Sequence, residues 1–390
     1  MEIANSQKTD QPFSKIFKIS TFNAFVKGLS QATLFFISIH LRNIGFSGTE
    51  IGIIFMIYSI TGLFTILPSG FSNDFFKSKH MVTLALLLMA LQYFGMASFK
   101  TFPIIAMFFL LGSLGKTLYA NSMDSLFLKS TEKEHTKKKI SIFLSLNYLF
   151  IGAGMIASGY FLNLNIQFEK IFFILSVAFA IIAILSQFLL PKSATAEFEI
   201  LHYKKDIFRK DVLFFLFIMF LFSLHFGAED TTYGLFLENI LKLDKLQSGL
   251  YMGTAIMTMA ATVIFIRNLI KKVGVKTILL LGTFLSGTGL ILMTIPSPEI
   301  SLFFRIIHET GDATMFFFLY YGISKLFDLK RIGGNTGIVT FVIIIGGSLS
   351  SLLSGMIGAN YGYNMPFLIG GTTTLLAFLF SLKFRHVIQH

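Results

Sequence analysis

The stretch Ser301–Lys325, SLFFRIIHETGDATMFFFLYYGISK, is long and apolar enough to cross a bilayer, yet it carries Arg305, His308, Glu309 and Asp312. An ionisable group at the bilayer centre costs about 2.5–3.5 kcal/mol on insertion scales, so it faces a polar cavity or a partner rather than lipid. On a helix, Arg305 and Glu309 lie four residues apart, as do His308 and Asp312, so each pair can meet. Arg305, His308 and Asp312 also share one face. What that face looks at depends on the rest of the chain.

Composition decides the solvent. The 390 residues are 54% hydrophobic and only 13% charged, against about 25% charged in soluble domains. A chain this apolar is built for lipid. The net charge of +12 is a nucleic-acid signal when basic residues cluster. Here the positions of the charges follow membrane topology, and no nucleic-acid partner is expected. The absence of cysteine excludes disulfides, thiolate nucleophiles and thiolate metal sites. The polar start MEIANSQKTDQPFSK has no short apolar core with a small-residue cleavage site, so no removable signal peptide is expected.

A bilayer core about 30 Å thick takes roughly 20 apolar residues per helix. Twelve such segments are predicted, at 17–41, 49–70, 80–99, 102–128, 140–163, 170–190, 211–237, 247–267, 276–295, 300–325, 334–358 and 364–385. Pro68, Pro103, Pro191, Pro296, Pro298 and Pro366 fall at or near their ends, where a missing N–H is tolerated. Lysine and arginine set the orientation. The even-numbered connections and both tails hold about 24 of them, including Lys77, Lys79, Lys133, Lys137–Lys139, Lys204, Lys205, Lys271 and Lys330. The odd-numbered connections hold only Arg42, Lys100, Lys170, Lys242 and Lys245. Both termini are therefore expected in the cytoplasm of a cell (inner) membrane, multi-pass.

The longest connection, 191–210, divides six segments from six. Gly52–Lys79 and Gly249–Lys276 share their internal spacing, and segments 4 and 10 superpose by a shift that sets Gly115 on Gly311, Lys116 on Asp312 and Lys129 on Lys325. Parallel six-helix repeats place a site at the midplane between halves.

The loop after segment 2 reads Gly70-Phe-Ser-Asn-Asp74-Phe-Phe-Lys77-Ser-Lys79. It resembles the signature loop of the major facilitator superfamily: a glycine, an aspartate four on, a turn and basic residues. Lys77 departs from the family's usual glycine. In the second half Arg267 and Lys271 replace the glycine and the acid, while Gly274 and Lys276 fit. The resemblance covers essentially the whole chain. It implies an all-α integral membrane fold of twelve transmembrane helices in two pseudo-symmetric six-helix bundles, 1–190 and 211–390, joined by a cytoplasmic loop at 191–210. It further implies secondary transport by alternating access, a cavity lined mainly by helices 1, 4, 7 and 10, and a conformational latch at Asp74. Read from the residues alone, Gly70 permits close packing, Asp74 suits a facing helix N-terminus, and Lys77 and Lys79 hold the loop in water. The plain alternative is a solvated turn. In segment 5, Gly152, Gly154 and Gly159 are expected to serve close helix packing; the proline that drug exchangers of this family often carry there is absent.

The intramembrane charges fall on the four segments so implied: Lys27 on the first, Lys116 and Asp124 on the fourth, His225, Glu229 and Asp230 on the seventh, and the opening set on the tenth. A carboxylate whose cation moves away between two states binds and releases a proton. That makes Glu229, Asp230, Glu309 and Asp312 candidate proton-coupling groups, with His225 and His308 as relays. Lys27, Lys116, Arg305 and Tyr233 are candidate substrate-binding groups. Lys116 and Asp312, repeat-equivalent, are expected to face each other. Against these stand packed histidines, a capping role for Asp230 and a snorkelling Lys27.

His308-Glu309-Thr310-Gly311-Asp312 begins like a zinc-protease motif but lacks its second histidine, and neither a serine elbow with a triad nor a phosphate-binding loop occurs. The expectation is therefore not an enzyme but a monomeric secondary transporter for a small-molecule substrate in the lipid bilayer. It is expected to carry no cofactor or metal and to take up a small polar or zwitterionic solute by proton symport, with proton-driven export as the alternative and a membrane-embedded enzyme or receptor as a minor one.

Overall fold

A computed structural model of the chain describes residues 3–31, 37–131, 135–164, 166–193 and 200–383. Lys133 and positions 194–199 of the predicted central connection lie outside the described residues. The chain runs α1 (Ile3–Gln31), α2 (Ile37–Asn43), α3 (Gly48–Phe75), α4 (Ser78–Ser98), α5 (Phe102–Lys129), α6 (Thr136–Asn163), α7 (Phe168–Leu189) and α8 (Ile200–Ile207). It continues through α9 (Lys210–Ser223), α10 (Phe226–Asn239), α11 (Lys245–Leu292), α12 (Pro298–Leu326), a 3-10 turn at Leu329–Arg331, α13 (Ile332–Tyr361) and α14 (Met365–Lys383). No strand occurs among the described residues.

These elements supply the twelve predicted crossings. α1 and α2 occupy the first, α9 and α10 the seventh, and α11 the eighth and ninth together, while α8 belongs to the central connection. Nine described stretches are long and apolar enough to span a bilayer, with Lys210–Asn239 and Lys245–Leu292 each counted once. α12 is long enough but carries Glu299, Arg305, Glu309, Asp312 and Lys325. The outward side chains are those of a lipid-facing surface: Phe188 is 82% exposed, Phe64 75% and Leu352 67%, which water would penalise and hydrocarbon does not.

Local sequence sets the boundaries. Ser47 and Glu50 form a capping box that starts α3, and Asp244 with Gln247 does the same for α11. α3 runs through Pro68 to Phe75, past its predicted end. The ring removes one amide donor, while the Ser72 hydroxyl donates to the Pro68 carbonyl at 2.7 Å. α11 bends at Gly274, whose φ of 80° and ψ of 167° belong to glycine; the predicted boundary between the eighth and ninth segments falls there.

Contacts group the described chain into two compact units. Unit one holds Met1–His135, Leu164–Tyr203 and Phe327–Phe341; unit two holds Thr136–Asn163, Lys204–Leu326 and Val342–His390. This division by contact follows different lines from the sequence division at 191–210, because α6 packs along the first arm of α11. A Cβ on Gly152 would stand 2.6 Å from the Gly253 carbonyl oxygen, and one on Gly249 3.2 Å from the Gly159 Cα, so the two backbones touch through small residues. The second arm of α11 packs equally tightly on α12. A Cβ on Gly311 would meet the Ser286 amide nitrogen at 2.1 Å, and one on Gly289 the His308 nitrogen at 2.4 Å.

Candidate functional site

In unit two, the charges of α12 all point at partners. Arg305 forms one ion pair with Glu309 on its own helix and a second with Glu229 of α10. Its guanidinium carbon lies 4.5 Å from the centre of the Tyr233 ring, a cation–π distance. His308 turns Nε2 to Glu229 Oε1 at 3.0 Å and to Asp312 Oδ2 at 3.7 Å. His225 brings its Nε2 to Asp312 Oδ2 at 3.1 Å. The Ser286 hydroxyl of α11 donates to Asp312 Oδ1 at 2.6 Å. Arg305, His308, Glu309, Asp312 and His225 are buried; only Glu229, with 20% of its side chain exposed, opens outward.

Both imidazoles are oriented by the main chain. His308 Nδ1 donates to the Ser286 carbonyl at 2.8 Å, and His225 Nδ1 to the Phe222 carbonyl at 2.5 Å. A carbonyl only accepts, so each Nδ1 carries the hydrogen and each Nε2 faces the carboxylates. The second of these bonds also explains a break in the fold. In a continuous helix the Phe222 carbonyl would receive the amide of residue 226. Here the His225 side chain takes it together with the nearer amides of Leu224 and His225, and the helix divides into α9 and α10 at Leu224–His225.

The arrangement therefore joins three predicted residues of α12 with two of the α9–α10 pair, and adds Glu309 through Arg305. His225 Nε2, Glu229, His308 Nε2 and Asp312 place one ligand atom each within 4.8 Å of one another, a grouping with the make-up of a cation site. Asp230, one residue beyond Glu229, lies on the exposed side of α10. Ser286 was not predicted. A lone serine in an apolar segment carries no sequence signal, and only the close approach through Gly311 brings it to Asp312.

Lys27 and Lys116 belong to unit one. Both are half-buried, and the Lys116 ammonium stands 5.9 Å from the centre of the Tyr58 ring. Unit one also contains the predicted loop Gly70–Lys79, whose first six residues are the end of α3. Asp74 is buried in the last turn of that helix and accepts from the amides of Gly333 at 3.0 Å and Gly334 at 2.6 Å, at the start of α13, where the helix dipole favours a carboxylate. Lys129 meets Asp74 at 3.0 Å, and the Tyr203 hydroxyl donates to it at 3.0 Å. A Cβ on Gly70 would stand 2.9 Å from the Gly337 Cα, so glycine lets α3 and α13 touch. Lys77 is exposed, and Lys79 donates to the Gln187 carbonyl at 3.2 Å.

Bilayer-length helices with a buried ionic cluster define a multi-pass membrane protein whose polar chemistry lies within the bilayer. The sequence model of the Major Facilitator Superfamily matches residues 20–274 and 215–389. The chain belongs to that superfamily, and it is a transporter rather than an enzyme. Three solved structures share the fold. The human organic anion transporter TETRAN is 12% identical with a TM-score of 0.73, covering 95% of this chain and 99% of its own. A bacterial homologue of the iron transporter ferroportin, outward-facing, is 12% identical with a TM-score of 0.76, covering 94% and 98%. The proton:xylose symporter XylE, bound to 6-bromo-6-deoxy-D-glucose, is 13% identical with a TM-score of 0.71, covering 95% and 96%. No curated protein matches the chain by sequence.

Proposed function

We propose that this protein is a secondary active transporter that takes up a small polar solute together with H⁺ by alternating access. In this reading it works as a monomer in the cytoplasmic membrane with both termini inside. One observation supports the reading above others: three carboxylates, one guanidinium and two oriented imidazoles converge inside helices of bilayer length. Removing one partner from a buried ion pair costs about 3–5 kcal/mol, whereas an apolar replacement of the whole set is often neutral or better. A cluster of this size is therefore an expense that packing does not require and solute coupling does. XylE, described as a proton:xylose symporter, offers a precedent for proton coupling on the same fold.

The test is flux in proteoliposomes. A thermal-shift screen selects solutes that stabilise the purified protein, since a ligand of the folded state raises its stability. Selected solutes should accumulate in right-side-out vesicles when the outside is made acid. Accumulation in inside-out vesicles under the opposite gradient would assign export by exchange instead. Flux that ignores the pH gradient and follows sodium would remove H⁺ from the reading.

A further inference from the structure

The cluster between α10, α11 and α12 has the geometry of a metal site. We infer that His225 Nε2, Glu229, His308 Nε2 and Asp312 bind one divalent transition-metal cation, and that this cation is cargo. The inference rests on the transport reading above and gives it a substrate class.

Four observations point this way. The ligand atoms already stand near coordination spacing. In a tetrahedral site with bonds of about 2.0–2.2 Å, neighbouring ligand atoms lie about 3.3–3.6 Å apart. Here the His308–Glu229, His225–Asp312 and His308–Asp312 distances are 3.0, 3.1 and 3.7 Å, and all four atoms fall within 4.8 Å. Each imidazole is also held as a metal-binding imidazole is: a backbone carbonyl fixes Nδ1–H and aims the other nitrogen inward. The Ser286 hydroxyl completes this outer layer by orienting the second oxygen of Asp312.

Charge is the third observation. A bound ion would displace the Nε2 protons; with both imidazoles then neutral, the carboxylates of Glu229, Glu309 and Asp312 outnumber the Arg305 guanidinium by two negative charges. A divalent ion balances that excess. Access is the fourth. Glu229 is the one partly exposed ligand, so an ion can enter from its side. The ligand set selects among metals. Two imidazoles and two carboxylates without thiolate suit manganese, iron, cobalt or zinc, not the all-oxygen preference of calcium or magnesium. The framework is hydrogen-bonded and ion-paired in itself, through Arg305, Ser286 and the two carbonyls. The ion is therefore not needed for folding and can exchange, as cargo must.

Cobalt makes the test visible. Full-length protein purified in detergent is titrated with CoCl₂ while the d–d absorption is followed. One Co²⁺ should bind per chain, and excess Zn²⁺, which favours a four-coordinate site of imidazole and carboxylate and has no d–d absorption, should compete it out and bleach the signal. His225→Gln and the near-isosteric Asp312→Asn should each weaken binding by about tenfold or more. His80→Gln, at an exposed histidine of α4, should leave it unchanged. Helical content by circular dichroism and a single gel-filtration peak establish that each variant is folded. In proteoliposomes, Mn²⁺ or Zn²⁺ should enter with the same dependence on His225 and Asp312. A folded wild type that binds no metal at stoichiometric level overturns the site. Binding that both variants leave intact overturns its placement. Binding without flux overturns cargo. The transport reading fails separately, only if no solute found by the thermal screen moves in the same vesicles.

Discussion

At the scale of single residues, Arg305 has the most to hold. Its guanidinium serves Glu229 and Glu309 at once while lying against Tyr233. Arg305→Gln should lower stability by about 3–5 kcal/mol, the cost of leaving buried charge without its partner. Thermal unfolding of the detergent-purified protein measures it, and adding Glu309→Gln should restore part of the loss; an unchanged melting temperature in the single variant would contradict the ion-paired geometry. The Arg305–Glu309 and His308–Asp312 pairs are legible in the sequence because helical spacing alone brings residues four apart together. Glu229 as the second partner of Arg305 is not, since its approach depends on how α10 packs against α12. Ser286 is less legible still, for a neutral side chain in an apolar run costs little and leaves no trace.

At the scale of elements, two glycines are needed for opposite reasons. Gly274 has open space around it but a backbone of φ 80°. Gly311 lies within helical α12 but has no room, with the Ser286 nitrogen 2.1 Å from where a Cβ would be. Gly274→Ala should cost about 1–3 kcal/mol through backbone strain and leave the cluster's metal affinity and flux intact. Gly311→Ala should cost a similar amount through overpacking, push α11 from α12 and weaken Co²⁺ binding as well. Chemical denaturation alongside the cobalt titration separates the two; equal loss of binding in both variants would show that the kink sets the ligand geometry as much as the packing does, against this reading. The bend at Gly274 is foreshadowed by the predicted boundary between segments 8 and 9. The break between α9 and α10 is not, because it follows from one imidazole taking a main-chain acceptor within an otherwise unbroken apolar run.

At the scale of the whole molecule, most of the fold is legible because bilayer length and charge placement act on every segment alike. The twelve crossings follow from them, while the grouping of α6 with unit two reflects contacts between small residues far apart in sequence. The chain contains no cysteine, so orientation can be mapped by single substitutions against a silent background. Lys100→Cys and Lys242→Cys should react with a membrane-impermeant maleimide on intact cells. Lys77→Cys and Lys204→Cys should react only after permeabilisation. Labelling in the reverse pattern would invert the topology.

The break beside His225 gives α10 a point about which it could turn as a lever, with its fulcrum at the imidazole. At 1.5 Å rise per residue, a swing of about 10° about that point carries the far end of this 14-residue helix through about 4 Å. Glu229, one turn from the pivot, moves about 1 Å in the same swing, and His225 hardly at all. One small rotation would thus loosen Glu229 from His308 and Arg305 while the His225–Asp312 contact persists. The cluster would come apart one ligand at a time, from its exposed side.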